Sequence, residues 1–69
     1  MKTIHESKTQ PGLFFWAESN GGGVGAIESY CVVSQAAGFP AMEAFDDWFC
    51  HWKDADEIAR KLARGDPNI

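Results

Sequence analysis

Between Thr9 and Trp52 the chain has no lysine and no arginine. The six bases are Lys2, Lys8, Lys53, Arg60, Lys61 and Arg64, all near the two ends. Gripping a phosphate backbone needs clustered bases, so this layout argues against direct contact with nucleic acid. The base-free stretch holds Glu18, Glu28, Glu43, Asp46 and Asp47 instead, within a formal net charge of −4. A surface of that kind suits a basic partner.

Cysteine is also scarce. Cys31 and Cys50 are the only two, too few for a disulfide framework. Met1-Lys2-Thr3-Ile4-His5 lacks a signal-peptide apolar core. No apolar run approaches the roughly 18 residues of a membrane span. These features lead us to expect a cytoplasmic protein with two reduced thiols and no membrane partner.

Metal-ligand spacing is missing as well. There is no C-x-x-C or H-x₃-H pattern joining His5, Cys31, Cys50 and His51. On a helix, Cys50 and His51 would point about 100° apart, so they would form neither a metal site nor a thiolate–imidazole pair. The nearby acids would blunt the Cys50 thiol further. Gly21 to Ala26 matches G-x-G-x-x-A literally, but a dinucleotide site needs a βαβ unit and a suitably placed acid. Only 43 residues follow Ala26, so a hairpin loop is the expectation. No catalytic residue, metal or cofactor is expected, and the chain reads as a non-enzyme.

Its 69 residues suffice for one domain, taken as 1–69. Such small domains need extra support, and three Trp, five Phe and one Tyr can supply an aromatic core. Lys2 to Glu6 is a candidate short strand. Gln10-Pro11-Gly12 is a turn signal, and the apolar run Leu13 to Ala17 reads as a strand. Asn20-Gly21 then signals a hairpin. Val24 to Ser34 suits a strand, although Ile27, Tyr30, Cys31 and Ser34 also fit helical spacing and Gly38-Phe39-Pro40 resembles a helix stop.

Helical periodicity over Pro40 to Trp52 places Ala41, Met42, Phe45, Trp48, Phe49 and Trp52 on one arc, opposite Glu43, Asp46 and Asp47. Phe45, Phe49 and Trp52 are expected in the core. A second helix is expected from Asp54, with an Asp54–Glu57 capping box, an Ile58, Ala59, Leu62, Ala63 stripe, and a stop at Gly65. Asp56–Arg60 and Glu57–Lys61 are acid-before-base pairs four apart. The fold class is therefore α+β: a small antiparallel hairpin or three-stranded sheet packed against two C-terminal helices.

Two surfaces are candidate partner sites. One is acidic: Glu18, Glu28, Glu43, Asp46 and Asp47. The other is aromatic. Alternation along a strand puts Phe14 and Trp16 on one face, and Leu13, Phe15 and Ala17 on the other. Two helices cover one face, which would leave an aromatic pair exposed as an interface.

Two resemblances follow from these residues. Val33-Ser34-Gln35-Ala36-Ala37-Gly38-Phe39, with Phe45 and Phe49, resembles the helix-turn-helix of AraC-type regulators. The positions that would meet DNA read Glu43, Asp46 and Asp47, which a duplex repels. The whole chain, under 100 residues, acidic and aromatic-rich, with a short hairpin and a helix such as Phe45-Asp46-Asp47-Trp48-Phe49, resembles in style the small acidic anti-CRISPR proteins of phages. That resemblance implies an inhibitor that binds a Cas protein or effector complex, with its acids standing in for phosphates. The alternative expectation is a homodimeric regulatory protein with a helix-turn-helix-like element and an aromatic strand interface.

Overall fold

The computed structural model describes residues 3–21 and 27–66. Four strands, β1 (His5–Glu6), β2 (Leu13–Ser19), β3 (Tyr30–Ala36) and β4 (Met42–Glu43), precede one helix, α1 (Trp52–Arg64). The strands form one antiparallel sheet in the order β1-β2-β3-β4. The α+β class holds, with four strands and one helix where three strands at most and two helices were expected.

The turns follow from composition. Pro11 and Gly12 occupy the centre of a turn closed by Leu13 N–H to Gln10 C=O at 3.1 Å. Gly12 has φ 89°, the left-handed value that a type II turn requires at its third residue. Ala36 to Phe39 repeats the pattern: Phe39 N–H reaches Ala36 C=O at 3.1 Å, and Gly38 has φ 84°. The expected helix stop at Gly38 is thus a strand-to-strand turn, and of the expected Val24 to Ser34 strand Tyr30 to Ser34 is realised, in a strand that runs on to Ala36; Ile27 to Ser29 are not strand, and Val24 to Ala26 lie outside the described residues.

The β2–β3 hairpin pairs Ser19 with Tyr30 and Leu13 with Ala36. Its connection is ten residues long, not a two-residue Asn-Gly turn. Asn20 clasps the neck instead. Its backbone N–H donates to Ser29 C=O at 2.9 Å, and its side chain both donates to Ser29 Oγ and accepts from Ser29 N–H. Apart from Gly21, the glycine run falls outside the described residues.

Leu13, Phe15 and Ala17 face α1, as alternation along the strand requires. Phe15, Ala17 and Val32 pack with Ala55, Ala59 and Ala63. Val32, Ala55 and Ala59 are completely buried. Three alanines four apart make one row down a helix, and their small side chains let α1 lie close on β2. The expected stripe is only partly right: Ala59 and Ala63 are buried, Ile58 and Leu62 are half-buried beside them, and Ala55 was missed.

The expected Pro40–Trp52 helix is absent. Pro40 and Ala41 lead into β4, and residues 44–51 run as an irregular segment along the edge of β3. Ala44 N–H donates to Val32 C=O at 2.9 Å, and Phe49 and Tyr30 exchange two main-chain bonds of 2.8 Å. The edge of β3 offers these partners, whereas Asp46-Asp47-Trp48-Phe49 are all weak helix formers. Phe45, Phe49 and Trp52 still pack on the core, but as a half-buried rim, with the Phe45 and Phe49 rings stacked at 6.1 Å. Val33 to Phe49 therefore contains no helix-turn-helix.

Helix α1 starts two residues earlier than expected. His51 is its N-cap and makes no side-chain cap bond. Asp54 lies in the first turn, so the Asp54–Glu57 capping box does not exist; the acid acts there only on the helix dipole. The expected stop holds: Gly65 adopts φ 82°, and its N–H reaches the Lys61 and Leu62 carbonyls at 3.1 Å.

One ionic cluster ties the ends together. His5 Nε2 lies 2.7 Å from Asp56 Oδ1, and Arg60 donates to Asp56 Oδ2 at 3.3 Å. Asp56 is 4% exposed. The expected Asp56–Arg60 pair is present, while Glu57 and Lys61 form no ion pair among the described residues.

Candidate functional site

The sheet order separates the charges. At the β1 edge, Lys8, Arg60 and Arg64 outnumber Glu6 around a groove of about 410 Å³ that His5 also lines. At the opposite edge, Glu43 sits on β4, with Asp46 and Asp47 in the segment that follows; all three are exposed. They do not share a helical arc, because the segment is not helical.

Glu28 sits at the neck of the β2–β3 hairpin. Ser19 Oγ donates to its Oε2 at 2.5 Å, and the Tyr30 phenol donates to its Oε1 at 3.0 Å. The Ser19 hydroxyl first, then the Tyr30 hydroxyl, holds the Glu28 carboxyl below its usual range. The same bond raises the Tyr30 phenol, because the donated proton is harder to remove. Glu18, half-buried on β2, accepts from Trp16 Nε1 at 3.1 Å.

None of Glu28, Glu43, Asp46 and Asp47 is in an ion pair with a base among the described residues. These four carboxylates can therefore meet an external cation without breaking an internal pair. Glu18 is less open, being half-buried.

The aromatic candidates divide. Phe14 is half-buried, opposite Glu6 on one side and Gln35 on the other. Trp16 is only 6% exposed. The expectation of an exposed Phe14–Trp16 pair is therefore corrected: the Trp16 indole is buried, and its N–H is bound to Glu18. The large exposed apolar side chains are instead Ile4, Ile27, Phe39, Met42 and Trp48.

Cys31 and Cys50 are free thiols, the first buried and the second exposed. Burial pushes the Cys31 thiol up, and the Glu43 and Glu18 carboxylates push it further. The thiolate is the reactive form, so a disulfide reagent at neutral pH should titrate Cys50 quickly. Cys31 should react slowly and accelerate with denaturant. Two equally fast thiols in the native protein would contradict this placement.

A groove of about 620 Å³ opens where α1 begins. Ala17 and Ser19 of β2, Tyr30 of β3, Glu28 and Trp52 line it, with Glu18 beside them. Sequence reading placed Glu28 among the acids and Trp52 in the core, but did not bring them together.

Among the described residues, no three His, Cys, Asp or Glu side chains converge as a metal site would require. No described helix is long and apolar enough to cross a membrane. Compared with protein-family models, curated proteins and solved structures, the chain matches none.

Proposed function

We propose that this chain is a non-enzymatic, cytoplasmic binding protein, an inhibitor or adaptor whose acidic surface engages a basic, nucleic-acid-handling protein. The observation that carries this reading is the set of four carboxylates, Glu28, Glu43, Asp46 and Asp47, without ion-pair partners among the described residues. The stretch of chain that supplies them contains no base. Uncompensated charges on the surface of a small protein steer it toward an oppositely charged groove. In the manner of anti-CRISPR proteins, the partner would be a Cas protein or effector complex whose nucleic-acid channel the acids occupy.

The test uses purified Cas effectors and other nucleic-acid-binding proteins, with duplex DNA as competitor. A partner should bind at low salt, release the chain as salt rises, and be competed by DNA. Glu43→Lys with Asp47→Lys should leave the fold within about 0.5 kcal/mol, as exposed substitutions do. The same pair should slow association severalfold. A partner that holds the doubly reversed variant as tightly as the parent at low salt would sink this reading. Salt-insensitive self-association in sedimentation would favour a homodimer instead.

A further inference from the structure

We propose that the groove at the start of α1 is a receptor for one arginine side chain projecting from the basic partner. The proposal rests on the acidic-surface reading and names the group that the surface recognises.

The groove has the three parts that a guanidinium needs. Its floor is apolar where Ala17 lies, so the side-chain methylenes can leave water. Tyr30 and Trp52 line it, and both belong to the half-buried rim packed on the core. Cations are attracted to the faces of such rings, and arginine also stacks on them. The third part is Glu28.

Glu28 is held ready. An ionised carboxylate offers about four lone-pair sites. The Ser19 and Tyr30 hydroxyls take one on each oxygen, which leaves one on each for a bidentate fork. Two anchored hydroxyls fix the plane of the carboxylate before any ligand arrives. A guanidinium matches that plane with two parallel N–H donors, whereas an ammonium does not. None of these lining residues is a base, so nothing in the set competes for Glu28. At about 620 Å³ the groove has ample room for one arginine side chain, being in the range of drug-sized ligand sites, about 300–1,000 Å³.

The probe is the blocked tripeptide acetyl-Gly-Arg-Gly-amide, titrated into the full chain while the Trp52 indole N–H is followed by NMR. Its citrulline counterpart keeps the shape and loses the charge. The arginine peptide should shift the Trp52 signal saturably. The citrulline peptide and the lysine peptide should each bind at least about fivefold more weakly, as expected for lost charge-assisted bidentate bonds. Glu28→Gln, a change at an exposed position, should weaken the arginine peptide by a similar factor. Glu43→Lys with Asp47→Lys should leave it within about twofold, since neither residue lines the groove and salt screens exposed charges. An unmoved Trp52 signal, equal binding of citrulline or lysine, or full affinity in Glu28→Gln would each overturn the proposal. The acidic-surface reading would survive those results, because it is decided by the protein partner and the charge-reversed pair.

Discussion

Replacing Asp56 with Ala should cost about 1.5–3 kcal/mol, the usual loss of hydrogen bonds to a charged group. A chain of 69 residues has a total stability of about 3–10 kcal/mol at typical values per residue. The variant should therefore lose a large fraction of that stability. The reason lies in where Asp56 sits. It is 4% exposed, yet it accepts from His5 on β1 and Arg60 on its own helix. Its loss deprives His5 of the bond that fixes β1 to α1 across 51 positions of sequence. Asp56→Asn keeps the shape and should cost less. Urea denaturation followed by tryptophan fluorescence measures both. A double-mutant cycle with His5→Ala should return a coupling of about 0.5–3 kcal/mol. Zero coupling would mean that the 2.7 Å contact contributes nothing.

Ala59→Leu is the second large effect, an expected loss of about 1–3 kcal/mol from overpacking. Leucine is an excellent helix former, so propensity alone predicts almost no change. The difference arises because Ala59 is fully buried in the cluster with Phe15, Ala17 and Val32. Three more carbons must push α1 off the sheet or force strained rotamers. Glu57→Leu, at an exposed position of the same helix, is the control and should stay within about 0.5 kcal/mol. A variant at Ala59 that melts with the parent would show that the helix does not lie close on β2.

Those two positions also show how far the sequence could be read. Strand β2 was legible because five successive apolar residues have few other uses. The turns at Gly12 and the stop at Gly65 were legible because left-handed backbone leaves a glycine behind. The row Ala55, Ala59, Ala63 was only half seen, since alanine carries little hydrophobic signal and its value here is its smallness. Asp56 read as an ordinary surface partner of Arg60. Its burial depends on His5, which no local pattern links to it.

The Pro40–Trp52 stretch misled for a different reason. Phe45 and Phe49 are four apart, as on a helix face, and both do reach the core. They do so from an irregular segment that fills the open edge of β3 with main-chain bonds. Periodicity registers which residues turn inward, not the backbone that carries them. Of the candidate site, the exposed acids were legible from the missing bases. The Ser19–Glu28–Tyr30 cluster was not, because its register depends on a ten-residue connection whose length no turn rule fixes.

The two border strands of the sheet are only two residues each, His5–Glu6 and Met42–Glu43. An open strand edge is a template on which another chain can pair, and long flat edges seed aggregates. Here each edge offers a short ladder that carries a glutamate, and Pro40 lies just before the second. A foreign strand arriving at either side finds too few main-chain partners to stay and a carboxylate to repel its own. Short, acid-bearing border strands of this kind weigh against edge-to-edge pairing.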